Sequence, residues 1–421
     1  AAAASAASIA LFVAIALTTT THPGAGGDGK RDREAEAHAH DNDNDNAHAH
    51  ARARALGSAP PANVHPEARK SKAPRAPAGH SHRGGPGGRS KRPHLYERTA
   101  RKSAKPNEPS QRASPSPGSS KNVSRFFINS RWQLIKKIGS GAFGTIYKAR
   151  CNQTGQGVAV KMEKLKAHSQ LHFEQNIFKI MQGAEGLPSV HWYGPAGHYN
   201  AMVATLLGPS LQRAFEVSGN RFSLKTIIML GVQMITRLQH LHDNHFIHGD
   251  VKPDNFVMGV GSSAHLVHII DFGLAKKYRH PITRRHVAWS QRDGLEGTAR
   301  YASVNAHKGI QQSRRDDLES LAYVLIYFCR GILPWQGLKA QTKKEKYEKI
   351  LDKKATMSPS EVTAGCPDAF EKFLIYARNL GFDQDPDYDK LRSWFMDLFK
   401  AEGFELDYIY DWMTPTHHTP S

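Results

Sequence analysis

Cysteine is scarce in this sequence, and the few cysteines present lack the spacing of a scaffold or a metal site. The 421 residues include three, at Cys151, Cys329 and Cys366. Their number is odd, and they lie far apart along the chain without metal-ligand spacing. The pattern argues against a disulfide framework and favours a reducing compartment, with three isolated buried thiols expected.

Acidic residues are also in short supply. Asp and Glu total 38 against 57 Lys and Arg, which gives a formal net charge of +19. An excess of this size favours acidic partners, such as phosphoproteins, nucleic acid or an anionic membrane surface. Because much of the excess lies before residue 125, the charge alone does not identify the partner, and a solvated basic surface remains an equal alternative.

Long apolar runs are absent as well. Residues 1–21 open with an apolar stretch, Ala1 to Leu17, that resembles the core of a signal peptide, but no basic segment precedes it. The stretch is shorter than the roughly 20 residues that a membrane-spanning helix needs. We therefore treat residues 1–21 as an apolar leader of uncertain role, expect no stable membrane span, and expect the protein in the cytoplasm, the nucleus or both.

Large apolar residues are rare from residue 22 to residue 124, where Asp/Asn, His/Ala and Pro/Gly/Ser/Lys/Arg tracts follow one another. Such a segment cannot form a core that offsets the entropy of ordering its backbone, so we predict a disordered, low-complexity basic tail. Short basic clusters such as Arg89 to Arg92 leave contact with nucleic acid open. No aromatic residues alternate with them to stack on bases, which favours a solvated linker.

Regular patterns begin near Phe126. Short strands joined by glycine turns are predicted at residues 131–138, 145–150, 158–162 and 199–205, and a helix at 171–181. Beyond Gly208 the apolar spacing is helical, with one long helix after the N-cap Ser223 and another from Tyr388 to Phe399. The pattern predicts an α+β domain at residues 125–413 with a strand-rich lobe at about 131–207, a helical lobe at 208–413 and a cleft between them, followed by a short tail at 414–421.

A glycine-rich stretch, Ile138-Gly139-Ser140-Gly141-Ala-Phe-Gly144-Thr-Ile146, lies between the first two of these strands. Glycines at this spacing let backbone amides approach phosphate oxygens without interference from Cβ atoms. The same spacing occurs in dinucleotide-binding turns, but there a helix follows the glycines, whereas here a strand follows. The context favours a loop that covers the phosphates of a nucleotide.

Charged residues that suit phosphoryl transfer follow in order. Lys161 ends Val158-Ala-Val-Lys161 on the third strand, where it reaches the phosphates if Glu174 on the next helix holds it. Next come His248-Gly-Asp250-Val-Lys252-Pro-Asp-Asn255 and Asp271-Phe-Gly273. In this order and spacing, Asp250 is expected to orient the substrate hydroxyl and accept its proton, and Lys252 to stabilise the transferring phosphoryl group. Asn255 and Asp271 are expected to bind Mg²⁺.

These motifs resemble those of protein kinases, and further stretches narrow the resemblance to the casein kinase I family of serine/threonine kinases. The stretches are Leu206 to Leu211, Gly297 to Asn305 in place of an Ala-Pro-Glu motif, Ser313 to Ser320, and Leu333 to Lys339. The resemblance covers roughly residues 131–412. It implies a bilobal protein kinase fold with a small β-rich N-lobe and a large helical C-lobe, which uses ATP and Mg²⁺ and acts as a monomeric catalytic domain.

The resemblance also assigns roles around the adenine. It places the adenine between Ile138, Ile146, Ala159, Val257 and Ile270. Leu207 is expected to hydrogen-bond the base through its backbone, and Gly139, Ser140, Gly141 and Gly144 to cover the phosphates. Asp317 is expected to hold the catalytic loop from below. Protein substrates with acidic or already phosphorylated residues are implied, through an anion pocket built from Arg300, Gln336, Gly337 and Lys346, because a guanidinium and an ammonium together suit a phosphate.

The sequence departs from the family pattern at several positions. Gly249 replaces the arginine that usually receives a phosphorylated activation loop, and Asp293 stands where a basic residue is usual, so a second anion site around Lys276 is not expected. Ala204 replaces the usual methionine beside the adenine pocket, which should open a cavity behind it. The segment between Lys161 and Glu174 is one residue shorter than usual.

Two other functions compete with the kinase interpretation. A pseudokinase scaffold would keep the fold without transferring phosphate, but it requires a missing catalytic residue, and here the set from Lys161 to Asp271 is complete. A nucleic-acid-tethered protein would act through the basic tail before residue 125. The tail can tether an enzyme without being its function, so the motifs favour the kinase.

Overall fold

The structure, a computed structural model, describes residues 126–141, 144–166 and 169–413. The leader at 1–21, the tail at 22–124 and the C-terminal tail at 414–421 lie outside the described residues, and the predictions made for them stay predictions. Within the described ranges, no helix combines the length and apolarity needed to cross a bilayer.

An antiparallel sheet forms the N-terminal part. Its six strands are β1 (Phe127–Ile128), β2 (Trp132–Gly141), β3 (Gly144–Cys151), β4 (Gly157–Lys164), β5 (Val190–Ala196) and β6 (Tyr199–Thr205). They lie in the order β1-β2-β3-β4-β6-β5. The four predicted strands are present with ends shifted by a few residues. The alternation missed β5, because His191, Gly194 and Pro195 interrupt an apolar pattern there.

One face of the sheet carries its own apolar core. Leu134, Tyr147, Val160 and Val203 are buried together with other residues of β2, β3, β4 and β6. Along β3 the buried Tyr147, Ala149 and Cys151 alternate with the more exposed Lys148 and Arg150, which gives the two-residue period of a strand. The pairing of β2 with β3 shifts register twice between Leu134 and Gly139, so the strand bends before it reaches the glycine-rich turn.

Helix α1 (Gln170–Ile180) packs against the sheet and faces the cleft. The Ser169 side chain accepts a hydrogen bond from the His172 N–H at 3.1 Å and so caps its first turn. Leu171, Glu174, Ile177 and Phe178 form its buried face. The helical spacing predicted this element to within one residue, and Glu174 is the charged member of an otherwise apolar face.

The C-terminal part is helical. Its helices are α2 (Leu211–Val217), α3 (Leu224–Asp243), α4 (Val304–His307), α5 (Arg314–Arg330), α6 (Lys343–Thr356), α7 (Pro359–Val362), α8 (Asp368–Asn379) and α9 (Tyr388–Ala401). Ser223 caps α3 as the sequence predicted, with its side chain accepting the Thr226 N–H. The centre of this part is α5, whose residues from Asp316 to Phe328 are all buried. The predicted α+β class with a β-rich and a helical part is confirmed.

Four short strands at the junction of the two parts place the loops of the cleft. They are β7 (Phe246–Ile247), β8 (Phe256–Met258), β9 (Val267–Ile269) and β10 (Lys276–Lys277). Antiparallel pairing of β8 with β9 and of β10 with β7 brings residues 248–255 beside residues 270–275. The two short ladders therefore fix the position of the predicted catalytic loop relative to Asp271.

The expectation of three isolated buried thiols is wrong for two of the cysteines. Cys151 is buried in the sheet, but Cys329 and Cys366 are only partly buried. Their side chains share a hydrogen bond, and the neighbouring Arg330 guanidinium donates to the Val362 carbonyl at 2.5 Å. The spacing of 37 residues gave no sign of this contact, because it arises where the end of α5 meets the turn after α7.

The aromatic cluster beneath α2 gives a stability prediction. Phe215 is completely buried against Phe222, Tyr327 and Phe328, with ring centroids 5.0, 4.8 and 5.4 Å away. Phe215→Ala leaves a cavity and should lower the free energy of unfolding by about 3–5 kcal/mol in urea titrations. Val217→Ala, on the same helix but 49% exposed, is the control and should change it by about 0.5 kcal/mol or less. Equal losses in both variants would contradict the packing described.

Candidate active site

A deep cleft runs between the sheet and the helical part and has a volume of about 1430 Å³. All eleven residues predicted to bind ATP line it: Ile138, Gly139, Ser140, Gly141, Gly144, Ile146, Ala159, Lys161, Leu207, Val257 and Ile270. The volume exceeds the ~300–1,000 Å³ of an ordinary ligand pocket, because the cleft continues along residues 206–210 to the C-terminal segment Asp407–Met413. Residues that are scattered along the sequence thus line one continuous space.

The glycine-rich turn joins β2 to β3, where Gly141 pairs with Gly144. Gly144 has φ +132°, and a Cβ atom there would lie 2.2 Å from the Met162 carbonyl oxygen of β4, so the fold itself requires glycine. A Cβ at Gly141 would instead meet nothing within 4 Å. The fold therefore does not require glycine at position 141. The absence of a side chain there leaves space in which a ligand can approach the backbone.

Lys161 of β4 joins the two parts of the molecule. Its Nζ lies 2.7 Å from Glu174 Oε2 on α1 and 3.0 Å from Asp271 Oδ1. Burial alone would lower the pKa of Lys161, but the two carboxylates outweigh it and raise the pKa above its usual value. The ammonium therefore stays charged in the cleft. The shorter connection between Lys161 and Glu174 does not prevent the pair from forming.

Asp271 is held in an unusual backbone conformation. Its φ of 65° and ψ of 69° lie in the left-handed region, which costs a non-glycine residue of the order of 1–3 kcal/mol. The following Phe272 is fully buried and contacts Phe178 of α1 edge to face, with centroids 4.9 Å apart. Burial would raise the pKa of Asp271, but Lys161 outweighs it and lowers the pKa. The Phe272 contact and Lys161 together point the ionised carboxylate into the cleft.

Lys252 lines the cleft, and Asp250 is its ion-pair partner. Asp250 is almost completely buried, and its Oδ2 lies 2.8 Å from Lys252 Nζ. Its Oδ1 accepts hydrogen bonds from the Thr298 backbone N–H at 2.8 Å and hydroxyl at 2.7 Å. Asp250, through its charge, raises the pKa of Lys252 against the lowering effect of burial. A carboxylate and an ammonium thus stand together where a hydroxyl and a phosphoryl group would meet.

The sequence did not single out Thr298 as a contact of the site, although it lies in the quoted stretch Gly297 to Asn305. Its hydroxyl donates to Asp250 and accepts a bond from Lys252 Nζ at 3.3 Å, so it bridges the two residues. The signal available in the sequence was only a threonine after a glycine. Gly297, with φ +98° and its Cβ position 2.8 Å from the Gly249 carbonyl, allows the close approach.

Asp317 of α5 holds the predicted catalytic loop, residues 248–255, through hydrogen bonds, as the resemblance implied. The Asp317 carboxylate accepts the backbone N–H groups of His248 at 2.7 Å and Gly249 at 2.9 Å. His242 of α3 adds a contact at 2.9 Å. Burial would raise the pKa of Asp317, but its hydrogen bond and charge interaction with His242 outweigh burial and lower the pKa. A fully buried anion therefore fixes the backbone that carries Asp250.

The residues expected to hold Mg²⁺ are oxygen donors, which suit a hard cation. The Asn255 side-chain amide donates to the Asp250 carbonyl at 2.8 Å, which leaves its oxygen as the ligand atom. The Asp271 carboxylate lines the same cleft as Asn255. The chemistry of this pair fits magnesium.

The four residues assigned to an anion pocket lie outside the nucleotide cleft. Arg300 packs over Tyr301 and Tyr327 at 5.8 and 5.9 Å, and Gln336 and Gly337 follow Trp335, whose indole N–H donates to the Arg300 carbonyl at 2.7 Å. Lys346 lies on α6. The structure therefore ties the backbone of Arg300 to the loop that carries Gln336 and Gly337.

The structure shows the surroundings of the residues at which the sequence departs from the casein kinase I pattern. Gly249 has φ +76°, and a Cβ there would lie 2.8 Å from the Leu274 carbonyl. Lys276 forms an ion pair with Glu296, which neutralises the cation left at the predicted remnant of a second anion site. Asp293 lies in the exposed segment before Glu296. The expectation that no second anion site forms there stays a prediction.

A two-lobed fold whose cleft holds a glycine turn, a lysine paired with two carboxylates, and a second lysine paired with the buried Asp250 is typical of a nucleotide-dependent phosphotransferase site. The family model described as protein kinase domain matches residues 132–379, more than half of the chain. The chain belongs to the protein kinase domain family. Members of this family use ATP with Mg²⁺ and act on protein substrates.

The small residue at position 204 gives a prediction about inhibitors. Ala204 is buried and lines the cleft beside Ala159, Glu174 and Phe178. A longer side chain there would fill the space behind the adenine position, so Ala204→Met should weaken binding of purine analogues that carry a bulky aromatic group by at least about tenfold. The affinity of each variant is measured by titration, with the unsubstituted purine analogue as the control ligand. Equal weakening for both ligands would contradict the idea of a back cavity.

Proposed function

We propose that this protein is an active serine/threonine protein kinase of the casein kinase I type, which transfers the γ-phosphate of ATP to protein hydroxyls. The observation that carries the proposal is the placement of Lys161 with Glu174 and Asp271 in one cleft, which is also lined by Lys252, the ion-pair partner of Asp250. A pseudokinase would lack at least one of these partners. In this chain Lys161 is paired with Glu174 and Asp271, and Lys252 is paired with Asp250, so the charged groups that phosphoryl transfer requires are all present.

The chemistry assigned to the chain is positioning and charge neutralisation. Asp250 orients the attacking hydroxyl and accepts its proton, while Thr298 and Lys252 hold both oxygens of its carboxylate. Lys252 also faces the developing negative charge on the transferred group. Lys161, fixed by Glu174, positions the phosphates from the opposite side of the cleft.

Asn255 and Asp271 are the residues that would hold magnesium. When bound, the metal supplies positive charge to the phosphate oxygens. Lys161 now lies 3.0 Å from Asp271, so the lysine keeps the carboxylate ionised and directed into the cleft. The chain thereby prepares the anionic ligand that a cation needs.

The subfamily assignment rests on stretches that contact each other. The Ser303 hydroxyl donates to Asp316 Oδ1 at 2.5 Å, and the Val304 N–H donates to Glu319 Oε1 at 3.1 Å. These bonds join the stretch that replaces Ala-Pro-Glu to the stretch Ser313 to Ser320. Residues characteristic of the casein kinase I family therefore act as one unit, which supports the finer assignment.

The proposed substrates carry acidic or phosphorylated residues near the acceptor hydroxyl. Arg300 and Lys346 supply positive charge, and Gly337 has an open surface where a Cβ would meet nothing within 4 Å. Gln336 uses its side-chain carbonyl to accept the Leu333 N–H at 2.8 Å, which directs its amide group away from that bond. Guanidinium, ammonium and amide donors together suit an anion.

Loss of the proposed catalytic base tests the enzyme assignment. Asp250→Asn cannot accept the hydroxyl proton, so incorporation of labelled phosphate into casein should fall about 10²–10⁴-fold. ATP affinity, measured by titration, should change little because Asp250 is not among the residues that line the nucleotide cleft. Asp243→Asn, at the exposed end of α3, is the matched control. If the wild-type protein binds ATP but transfers no phosphate, the chain is a pseudokinase.

Removal of one pocket charge tests the substrate preference. Lys346→Met should raise the KM for a peptide primed with phosphoserine by roughly tenfold, because one charge-assisted hydrogen bond is lost. The KM for a neutral peptide should stay within about twofold. Lys353→Met, on the same helix and partly exposed, provides the control. A uniform rise for both peptides would argue against the pocket.

A further inference from the structure

A completely buried lysine lies beneath the proposed anion pocket. Lys354, near the end of α6, has no exposed surface. Its ammonium donates to the Ala302 carbonyl at 2.6 Å and the Ala299 carbonyl at 2.9 Å. The rings of Tyr323 and Trp335 face it, each with its centroid 4.8 Å away. Two carbonyls and two aromatic faces thus form a cage around the Lys354 amino group, which also lies 3.3 Å from His307 Nε2.

The charged form of an amino group is costly to bury at such a place. Desolvation lowers the pKa of Lys354 well below its ordinary value, against a smaller opposing effect of Glu319. The carbonyls and rings offset part of this cost, since both favour the charged form. A buried charge is frequently less stabilising than an apolar side chain of the same size. A contribution to stability alone therefore explains Lys354 poorly. An apolar side chain could not donate hydrogen bonds to the Ala299 and Ala302 carbonyls, so a role in holding that backbone explains the lysine better.

The two carbonyls that Lys354 holds lie on either side of Arg300. Trp335, one wall of the cage, donates its indole N–H to the Arg300 carbonyl itself at 2.7 Å. His307 adds a contact between Nε2 and the Ala299 carbonyl at 3.0 Å. Burial, assisted by Lys354, lowers the pKa of His307 to about 3, so its neutral ring donates there. The backbone that carries Arg300 is therefore fixed by three side chains from outside its own segment.

The cage also connects the remaining parts of the pocket. Trp335 immediately precedes Gln336 and Gly337, and Lys354 lies on the same helix as Lys346, about two turns further on. The three separate elements that supply the pocket's donors meet at the Lys354 ammonium. A displacement of this group would change the spacing between the Arg300 guanidinium and the Lys346 ammonium.

A second layer holds the cage in place. The Tyr323 hydroxyl donates to Glu319 Oε1 at 2.5 Å and accepts a bond from the Arg378 guanidinium at 3.0 Å. Arg378, on α8, also donates to the Lys354 backbone carbonyl at 2.9 Å. Helices α5, α6 and α8 are thus locked together around the cage, which makes its position rigid.

We propose that Lys354, with Tyr323 and Trp335, is a positioning unit that sets the geometry of the anion pocket and so determines selectivity for anionic substrates. The unit touches neither the nucleotide cleft nor the acceptor site. It acts through the backbone of Arg300 and through the loop of Gln336. The inference rests on the proposed kinase function and adds to it the residues that define its substrate class.

The test compares two peptides that differ only in a phosphoserine placed before the acceptor serine. For Lys354→Met, which keeps the length of the side chain but donates no hydrogen bonds, the KM for the phosphorylated peptide should rise about tenfold or more. The kcat and the KM for ATP should stay within about twofold, because the cleft is untouched. Lys353→Met is the matched control and should leave all constants unchanged.

Coupling to Arg300 separates positioning from general loss of structure. In an Arg300→Ala background the pocket has already lost its guanidinium, so adding Lys354→Met should raise the KM for the phosphorylated peptide less than twofold further. Direct binding of that peptide, followed by fluorescence titration without ATP, gives the same comparison without catalysis. Trp335→Phe retains a ring but loses the bond to Arg300, and it should show a smaller effect in the same direction.

The positioning role of Lys354 can be overturned in the following ways. Additive effects of Lys354→Met and Arg300→Ala, or equal rises in KM for both peptides, would overturn the positioning role. If Lys354→Met does not fold, an unchanged peptide preference in Trp335→Phe would overturn it instead. Failure of the kinase assignment is recognised separately, since the wild-type protein would then phosphorylate neither peptide while peptide binding could still be measured.

Discussion

One ammonium group holds the proposed active site together. Lys161 extends from the sheet to a carboxylate on α1 and to another at the start of the segment after β9, at 2.7 and 3.0 Å. Three elements that are separate in sequence meet at this point. Glu174 is buried, and the side chains of Lys161 and Asp271 are 12% and 24% exposed, so the charge of each group depends on the other two.

Similar buried charges organise the helical part. The Asp317 carboxylate holds the backbone of the catalytic loop, and the Lys354 ammonium holds the backbone of the segment that carries Arg300. In both cases a charged side chain from a helix satisfies backbone groups of an irregular loop. Loops have few hydrogen bonds of their own, so this is how a rigid helical scaffold imposes a fixed shape on the segments proposed to act on substrate.

The parts of the site that the sequence predicted are those whose pattern lies within one short segment. The glycine turn, the strand of Lys161 and the helix of Glu174 were predicted to within a few residues, because periodicity and capping are properties of short segments. Strand β5 was missed, since its apolar pattern is broken by polar and glycine residues. The contact between Cys329 and Cys366 was missed for another reason, namely that it depends on how two helices end beside each other.

The sequence by itself determined the class of fold, the order of the charged motifs and the residues that line the cleft, because ordered motifs at fixed spacing belong to one architecture. Apart from the predicted pair of Lys161 with Glu174, only the tertiary structure decided which charged or polar groups contact each other. Thr298 between Asp250 and Lys252, Glu296 against Lys276, and the cage around Lys354 leave no trace in spacing. These contacts join segments brought together only by packing, and a charge becomes informative only when its burial and its neighbours are known.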